Sequence, residues 1–399
     1  MPLILDTFNS HLVVPYAIAL SAVVIGVELL SRLEQPMAKR LTIICLSMLL
    51  LGWLDIRSLA LLLFLATAIF GMTKARLNIN HIIYPLSLLL IGVLLLIKDL
   101  SSLGWMQTPY VPLGVSYYFF RLISFLIEYS KQPEKISAIS PLDYFSWVFF
   151  FPIFLAGPIL RFNEFNRIDK QKHWARKPVY YRNLAVAIFL KVLVVDLMLF
   201  NLSYVTLQGT MELKLSAQFA AQHHYLNFFY LFAFSFSAFI HAYLDLMLYT
   251  EISKALSGIL GFTCVENFNR PLLASNISEF WQKWHMSLSN WTRDYVFFPM
   301  LVKTRRTWPS TYASMLILGI WHAASLNWVF WAIAHATAIN LYGELRKTRI
   351  FKDLANIPAG ALFLKISGNI ITVAFVGLIF IFVAIHDFSH VMRLLSRCF

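Results

Sequence analysis

The sequence predicts an all-α protein that crosses a membrane several times, and three observations carry that prediction. Apolar runs recur at Leu12–Leu30, Ser58–Met72, Ile82–Ile97 and Ile370–Ile385, near the length that a bilayer core requires of a helix. Only 13% of the 399 residues are charged while 59% are hydrophobic, and the mean hydropathy is +0.67. A soluble domain carries roughly 25% charged residues. The basic residues behind the net charge of +13 gather in short loops between apolar runs. That is the positive-inside pattern, so the charge calls for a membrane and no nucleic acid.

The opening stretch, MPLILDTFNSHLVVPYAIAL, has neither a basic leader nor a small-residue cleavage site, and is expected to stay as a first helix. Basic loops at Arg32–Arg40, Lys74–Arg76 and Lys131–Lys135 are expected in the cytoplasm, with the N-terminus outside. The apolar segment Pro141–Leu160 breaks this alternation. Basic residues flank it on both sides, and Arg161–Arg182 alone carries seven Lys or Arg. A re-entrant segment or short buried helices resolve the conflict, with a bend at Ala156–Phe162, AGPILRF. The region Ala220–Phe262 exceeds one span and holds His241, Asp245, Tyr249 and Glu251. Ionisable groups at membrane depth are costly, so these are either functional or paired near a helix end. With no internal repeat or low-complexity linker, residues 1–399 read as one domain.

The chemistry concentrates in FWQKWHMSLSNW, Phe280–Trp291. Asn276 followed by Glu279 forms a capping pair that predicts a helix start. Continued at helical spacing, Trp281, His285, Leu288 and Thr292 share one face, with Trp284 and Trp291 beside it. A buried imidazole bonded to a backbone carbonyl, or an interfacial aromatic belt, would explain this stretch alone. A second histidine, His322, follows in LGIWHAASLNWVFWAIAHA, within an apolar helix. Gly319, one turn earlier, leaves space for a substrate or another helix. Neither histidine has a neighbouring ligand set, so no metal is expected. His386 and His390 with Asp387 read as a solvated face. Cys45, Cys264 and Cys398 are scattered without metal or disulfide spacing. A single neutral imidazole suffices for general-base chemistry.

These motifs resemble the membrane-bound O-acyltransferase family. The likeness rests on FWQKWHMSLSNWTRDYVFFPM and GIWHAASLNWVFWAIAHA, and upstream on PLGVSYYFFRLISFLIEY, AGPILRFNEF and GFTCVENFNRP, in that order over about residues 110 to 345. The resemblance implies a ring of tilted transmembrane helices around a central funnel or tunnel. It makes His322 the catalytic histidine and His285 the second active-site residue. A histidine at the latter position is similar to bacterial branches that acylate cell-envelope polymers by alginate O-acetylation or lipoteichoic-acid D-alanylation. Departures are LDLMLYTE at Leu244–Glu251, Ala323 after the histidine, and no Gly-Gly after Pro299.

The resemblance further implies an acetyl or D-alanyl group carried on a pantetheine thioester, of coenzyme A or an acyl carrier protein, in the cytoplasm. No permanently bound cofactor is implied. The acceptor is a hydroxyl of an envelope polymer or a partner, and a periplasmic or extracellular acyltransferase partner is expected to complete the transfer, as in related systems. The setting is the bacterial cytoplasmic membrane, among its lipids. His322 would take the hydroxyl proton, and His285 would donate to the oxyanion or orient the acceptor. Trp281, Trp284, Ser287, Trp291, Asn327, Asp245 and Tyr249 are candidates for lining the tunnel. Arg293 and Asp294 read as a pair fixing a helix end. The basic stretches Arg161–Arg182 and Lys303–Arg306 could attract an acidic carrier or coenzyme phosphates. Three rivals stand beside this: a transporter or flippase for a lipid-linked glycan or acyl carrier, a scaffold subunit, and a thiol-dependent palmitoylating enzyme. The first predicts paired repeats that are absent, the second has no use for two motif histidines, and the third lacks its cysteine arrangement.

Overall fold

A computed structural model describes residues 35–77, 114–154, 157–165, 173–199, 224–262, 264–385 and 387–396, with Gly26, Leu29, Arg32 and Gly92 as isolated positions. The apolar runs expected at Leu12–Leu30 and Ile82–Ile97 therefore lie outside the described residues but for three positions, as do His386 and Cys398.

The described chain is helical, without a strand. Its principal helices, in chain order, begin with α1 (Pro36–Leu54), α2 (Ile56–Lys74), α3 (Val115–Lys131) and α4 (Pro141–Val148). Then come α5 (His173–Leu190), α6 (His224–Ile259), α7 (Ile277–Lys283) and α8 (Met286–Thr292). The last are α9 (Thr307–His322), α10 (Leu326–Leu345), α11 (Arg349–Ala355) and α12 (Pro358–Ile379). Five stretches among the described residues are long and apolar enough to span: Met37–Leu54, Ile56–Lys74, Pro178–Val195, Phe228–Ile259 and Pro358–Ala384. The protein is an all-α multi-pass membrane protein. α6 runs unbroken for 36 residues, about 54 Å at the α-helical rise and well beyond one bilayer core. The basic stretch Arg161–Arg182 is not loop throughout, because α5 begins inside it at His173.

The core is aromatic and centres on α3, whose residues Tyr118 to Leu126 are buried without interruption. Arg121 lies in the middle of that run at 2% exposure. A buried guanidinium demands acceptors, and Arg121 donates to the Trp147 carbonyl while its guanidinium lies 4.8 Å from the Trp147 ring. Trp147 in turn donates from its indole to the Leu160 carbonyl at 2.9 Å. The Trp147–Leu160 bond holds the segment from Pro141 folded against itself, and the Arg121 bond ties it to α3: α4 is short, a single 3-10 turn follows at Phe151–Ile153, and Gly157 adopts φ 126. The expected short buried helices are thus present, stabilised by a polar centre that periodicity does not reveal.

Candidate active site

The capping pair forms as expected at the start of α7. The Glu279 amide donates to Asn276 Oδ1 at 2.9 Å, and Glu279 Oε2 accepts from the Ser275 amide at 2.8 Å. Burial alone would raise the Glu279 carboxyl, but bonds from Lys283 and Ser275 outweigh it and hold the carboxyl down at about 2.

The helix does not continue through His285, contrary to the single face expected for Trp281, His285, Leu288 and Thr292. It ends at Lys283, His285 takes a left-handed φ of 42, and α8 starts at Met286. The cause is the preceding loop, which binds both sides of the break. The Asn269 amide donates to the Lys283 carbonyl at 3.0 Å, and the Met286 amide donates to the Asn267 carbonyl at 2.8 Å. Such backbone is costly for a residue with a Cβ and persists only where its surroundings dictate it.

Asn267, fully buried, organises this break. Its side-chain Oδ1 accepts from the Ser287 amide at 3.2 Å, from Ser287 Oγ at 2.7 Å and meets His285 Nδ1 at 3.1 Å. Its Nδ2 donates to Thr250 Oγ1 at 3.3 Å. A backbone amide can only donate, so the atom facing Ser287 N is the carbonyl oxygen, and His285 Nδ1 must carry the hydrogen. His285 Nε2 is left as a bare lone pair, buried and without a partner among the described residues. His285 lies outside the five spans, and burial pushes its imidazole down to about 4, so it is neutral near pH 7. A neutral imidazole of this tautomer cannot donate from Nε2. Of the two roles expected for His285, this tautomer suits orienting the acceptor, by taking a hydrogen bond from a hydroxyl, better than donating to an oxyanion. Ser287 Oγ also accepts from the Ile159 amide at 2.9 Å, tying the Gly157 bend to the same centre.

His322 ends α9 rather than lying within a helix, because Ala323–Ser325 turn the chain into α10. Its ring stacks face to face on Trp328 at 4.2 Å and 8°, with Trp321 at 4.3 Å and Trp331 at 6.3 Å. Unlike His285 it is exposed. Gly319 makes this stack possible: a Cβ there would lie 2.5 Å from the Trp328 carbonyl oxygen and 2.9 Å from the Ala332 Cβ. The space is filled by another helix, α10. Trp331 also contacts Trp281 of α7 at 5.6 Å, which ties the His322 surroundings to the helix that precedes His285.

Other candidates spread further. Trp284 sits between Phe239, Phe268 and Phe280. Trp291 donates to the Phe120 carbonyl at 3.0 Å, and Asn327 donates to the Ile385 carbonyl. Asp245 binds Lys191 at 2.8 Å, and the Lys191 ammonium lies 5.1 Å from the Tyr249 ring, so these two share a cation. Asp294 meets Arg293 at 3.0 Å but also Arg161 at 2.8 Å. Arg161 is the better buried partner, 14% exposed against 52% for Arg293. No cluster of metal-ligating groups occurs among the described residues.

Two site residues escaped sequence reasoning. Asn267 stands in a polar loop, ENFNR, where an asparagine attracts no notice. His335, 1% exposed, accepts from the Trp281 indole at 3.3 Å through Nδ1. An indole only donates, so His335 Nδ1 is bare and its neutral ring carries hydrogen at Nε2. Its place on an alanine-rich apolar helix conceals it, although a polar residue on such a helix is itself a signal.

Fold and site together describe a multi-pass membrane protein with one imidazole, His322, set among tryptophans and another, His285, buried beside Phe268 and Asn267. Residues 62–381 match the profile of the membrane-bound O-acyltransferase family, and the chain belongs to that family. It is 29% identical over 229 residues to "Probable alginate O-acetylase AlgI" of Pseudomonas aeruginosa, covering 56% of this chain and 41% of that protein. It is 28% identical over 249 residues to the teichoic acid D-alanyltransferase of Bacillus subtilis, covering 59% and 60%. It is 25% identical over 265 residues to the peptidoglycan O-acetyltransferase of Helicobacter pylori, covering 58% and 47%. The chain thus spans about half the length of these curated relatives.

Proposed function

We propose that the protein is an O-acyltransferase that moves an acetyl or D-alanyl group from a thioester to a hydroxyl of a cell-envelope polymer. The donor is a pantetheine thioester, on coenzyme A or an acyl carrier protein, presented on the cytoplasmic side of the bacterial inner membrane. The region between His285 and the tryptophans around His322 is taken as the tunnel in which donor and acceptor meet, and a periplasmic partner as the recipient or relay. Family membership and the kinds of relatives support the class of reaction. The observation that carries the site assignment is the bare, buried Nε2 of His285, fixed by Asn267.

In this reading the acceptor oxygen attacks the thioester carbonyl carbon while His322 takes its proton. The carbon–sulfur bond breaks, the thiolate leaves and is protonated, and an ester remains. His285 Nε2 accepts a hydrogen bond from a neighbouring hydroxyl of the polyol acceptor and sets its approach, a positional contribution that lowers the entropy of the attack. The stack on Trp328 restrains the His322 ring.

The test is mass spectrometry of envelope polymers from cells carrying the intact gene, no gene, or His322→Ala, followed by kinetics of the purified protein. Loss of one ester-linked mass without the gene and with His322→Ala supports the reading, and the mass names the group as acetyl or alanyl. His285→Ala is expected to raise KM for the acceptor more than it lowers kcat. Wild-type ester levels with a folded His322→Ala protein would refute the assignment. Accumulation of a lipid-linked glycan with esters unchanged would favour the transporter.

A further inference from the structure

Lined by neither His285 nor His322, a groove of about 870 Å³ lies among α10, α11 and α12 with the segment Ser275–Ile277 at its edge. Its walls are apolar: Ala338, Leu341 and Leu345 from α10, Phe351 from α11, Ile371 and Phe375 from α12. The lining also includes polar side chains, Ser275, Glu344, Thr348, Lys365 and Thr372 among them. A Cβ at Gly368 would overlap the Ser275 carbonyl, so the glycine lets α12 close against that segment.

The charges around the groove are unbalanced. Residues 344–365 carry five basic and two acidic side chains, a net +3. Both acids are already engaged: Glu344 with Lys347 at 2.8 Å and Asp353 with Arg349 at 3.5 Å. Nearby Lys283 is held by Glu279 at 2.5 Å. Lys365 lines the groove, is exposed, and has no acidic partner among the described residues. It sits two turns into a helix whose stretch Pro358–Ala384 spans 27 residues, about 40 Å, longer than a bilayer core of about 30 Å. Lys365 lies about 10 Å from the start of that stretch, within reach of the headgroups for a lysine side chain that extends toward the interface. Ile350, Ile357 and Phe363 are exposed around it at 81%, 56% and 61%, the outward apolar surface of a segment seated in the interface.

We infer that this groove binds one anionic phospholipid, with an acyl chain along Leu341, Ile371 and Phe375 and the phosphate on Lys365. An acyl chain matches walls that offer it little but hydrocarbon. An anionic headgroup supplies the counter-charge that Lys365 lacks, with Arg346 and Lys352 adding to the attraction. The inference is independent of the acyl-transfer reading.

The test uses the full chain, purified in a non-ionic detergent and offered equal amounts of phosphatidylglycerol and phosphatidylcholine of identical acyl chains. Retained lipid is read by native mass spectrometry. Wild type is expected to keep one phosphatidylglycerol in about fivefold preference, the worth of one lysine at an anionic surface. Lys365→Gln is expected to remove most of that preference. Ile371→Trp, which fills the groove from an exposed position, is expected to reduce retention of both lipids, with its melting curve checking the fold. Equal retention of the two lipids by wild type overturns the inference without reference to any variant. So does an undiminished preference in Lys365→Gln, or undiminished retention in a folded Ile371→Trp.

Discussion

Replacing Asn267 with alanine removes one carbonyl oxygen and strands several donors at once. The Ser287 amide at 3.2 Å, Ser287 Oγ at 2.7 Å and His285 Nδ1 at 3.1 Å all lose their acceptor. Asn267 is fully buried, and His285 and Ser287 are 4% and 6% exposed, so water does not readily replace it. A buried donor left unmade costs about 1–3 kcal/mol. Ser287 Oγ can swing toward another acceptor, so the sum is taken as about 3–5 kcal/mol, against which a mutation at an ordinary surface position is worth about 0.5. Spread over the unfolding entropy of a 399-residue chain, this is a fall of about 5 °C in Tm.

The functional consequence is separate from the loss of stability. Without Asn267 nothing fixes hydrogen at His285 Nδ1, and the ring can place it on Nε2, turning the acceptor into a donor. Asn267→Ala is therefore expected to resemble His285→Ala, with KM for the acceptor raised more than kcat is lowered. The assay is thermal unfolding of the purified protein beside acyl-transfer kinetics at a temperature where both variants stay folded. An unchanged melting curve together with an unchanged acceptor KM would refute the tautomer argument. A lower Tm with wild-type kinetics would reduce Asn267 to a structural role.

Asn267→Asp keeps an acceptor but brings a negative charge to His285 Nδ1, which favours imidazolium. The acid limb of the pH–rate profile is expected to move to higher pH, and a limb that stays put or moves lower contradicts this. In the wild type, His285 titrates at 6.5 unfolded and about 4 folded. Its contribution is fully present above pH 6.5 and is lost as pH falls toward 4, worth roughly 3 kcal/mol in all; a His285→Gln protein is expected to show a shallower loss of stability across that window. Gly319→Val drives a side chain against the Trp328 carbonyl and is expected to cost about 1–3 kcal/mol and to slow transfer by displacing the ring that stacks on His322. Arg161→Ala strands the partly buried Asp294 and is expected to lower Tm by more than Arg293→Ala, whose half-exposed pair is worth about 0–1 kcal/mol; equal effects would show that the Arg161 contact is dispensable.

The parts of this molecule legible in its sequence are those set by local composition. Apolar length gave the spans at Ser58–Met72 and Ile370–Ile385, because a bilayer demands that length whatever the neighbours. Asn276 and Glu279 announced a helix start through a bond made within four residues. What stayed hidden is held by bonds between distant segments. The 3.6-residue period carries a helix smoothly through His285, yet the chain breaks there because a loop 18 residues earlier supplies Asn267. Arg161 looks like one more base in a basic stretch until Asp294, 133 residues later, meets it. His285 and His322 were found as residue types in an aromatic setting, but their difference is not in their motifs. One is buried with its proton placed by an amide, and the other caps a helix, exposed and stacked on indole. In the proposed reaction that asymmetry divides the two imidazoles between tasks: the enclosed lone pair of His285 fixes the acceptor's position, while the less enclosed ring of His322 takes the proton.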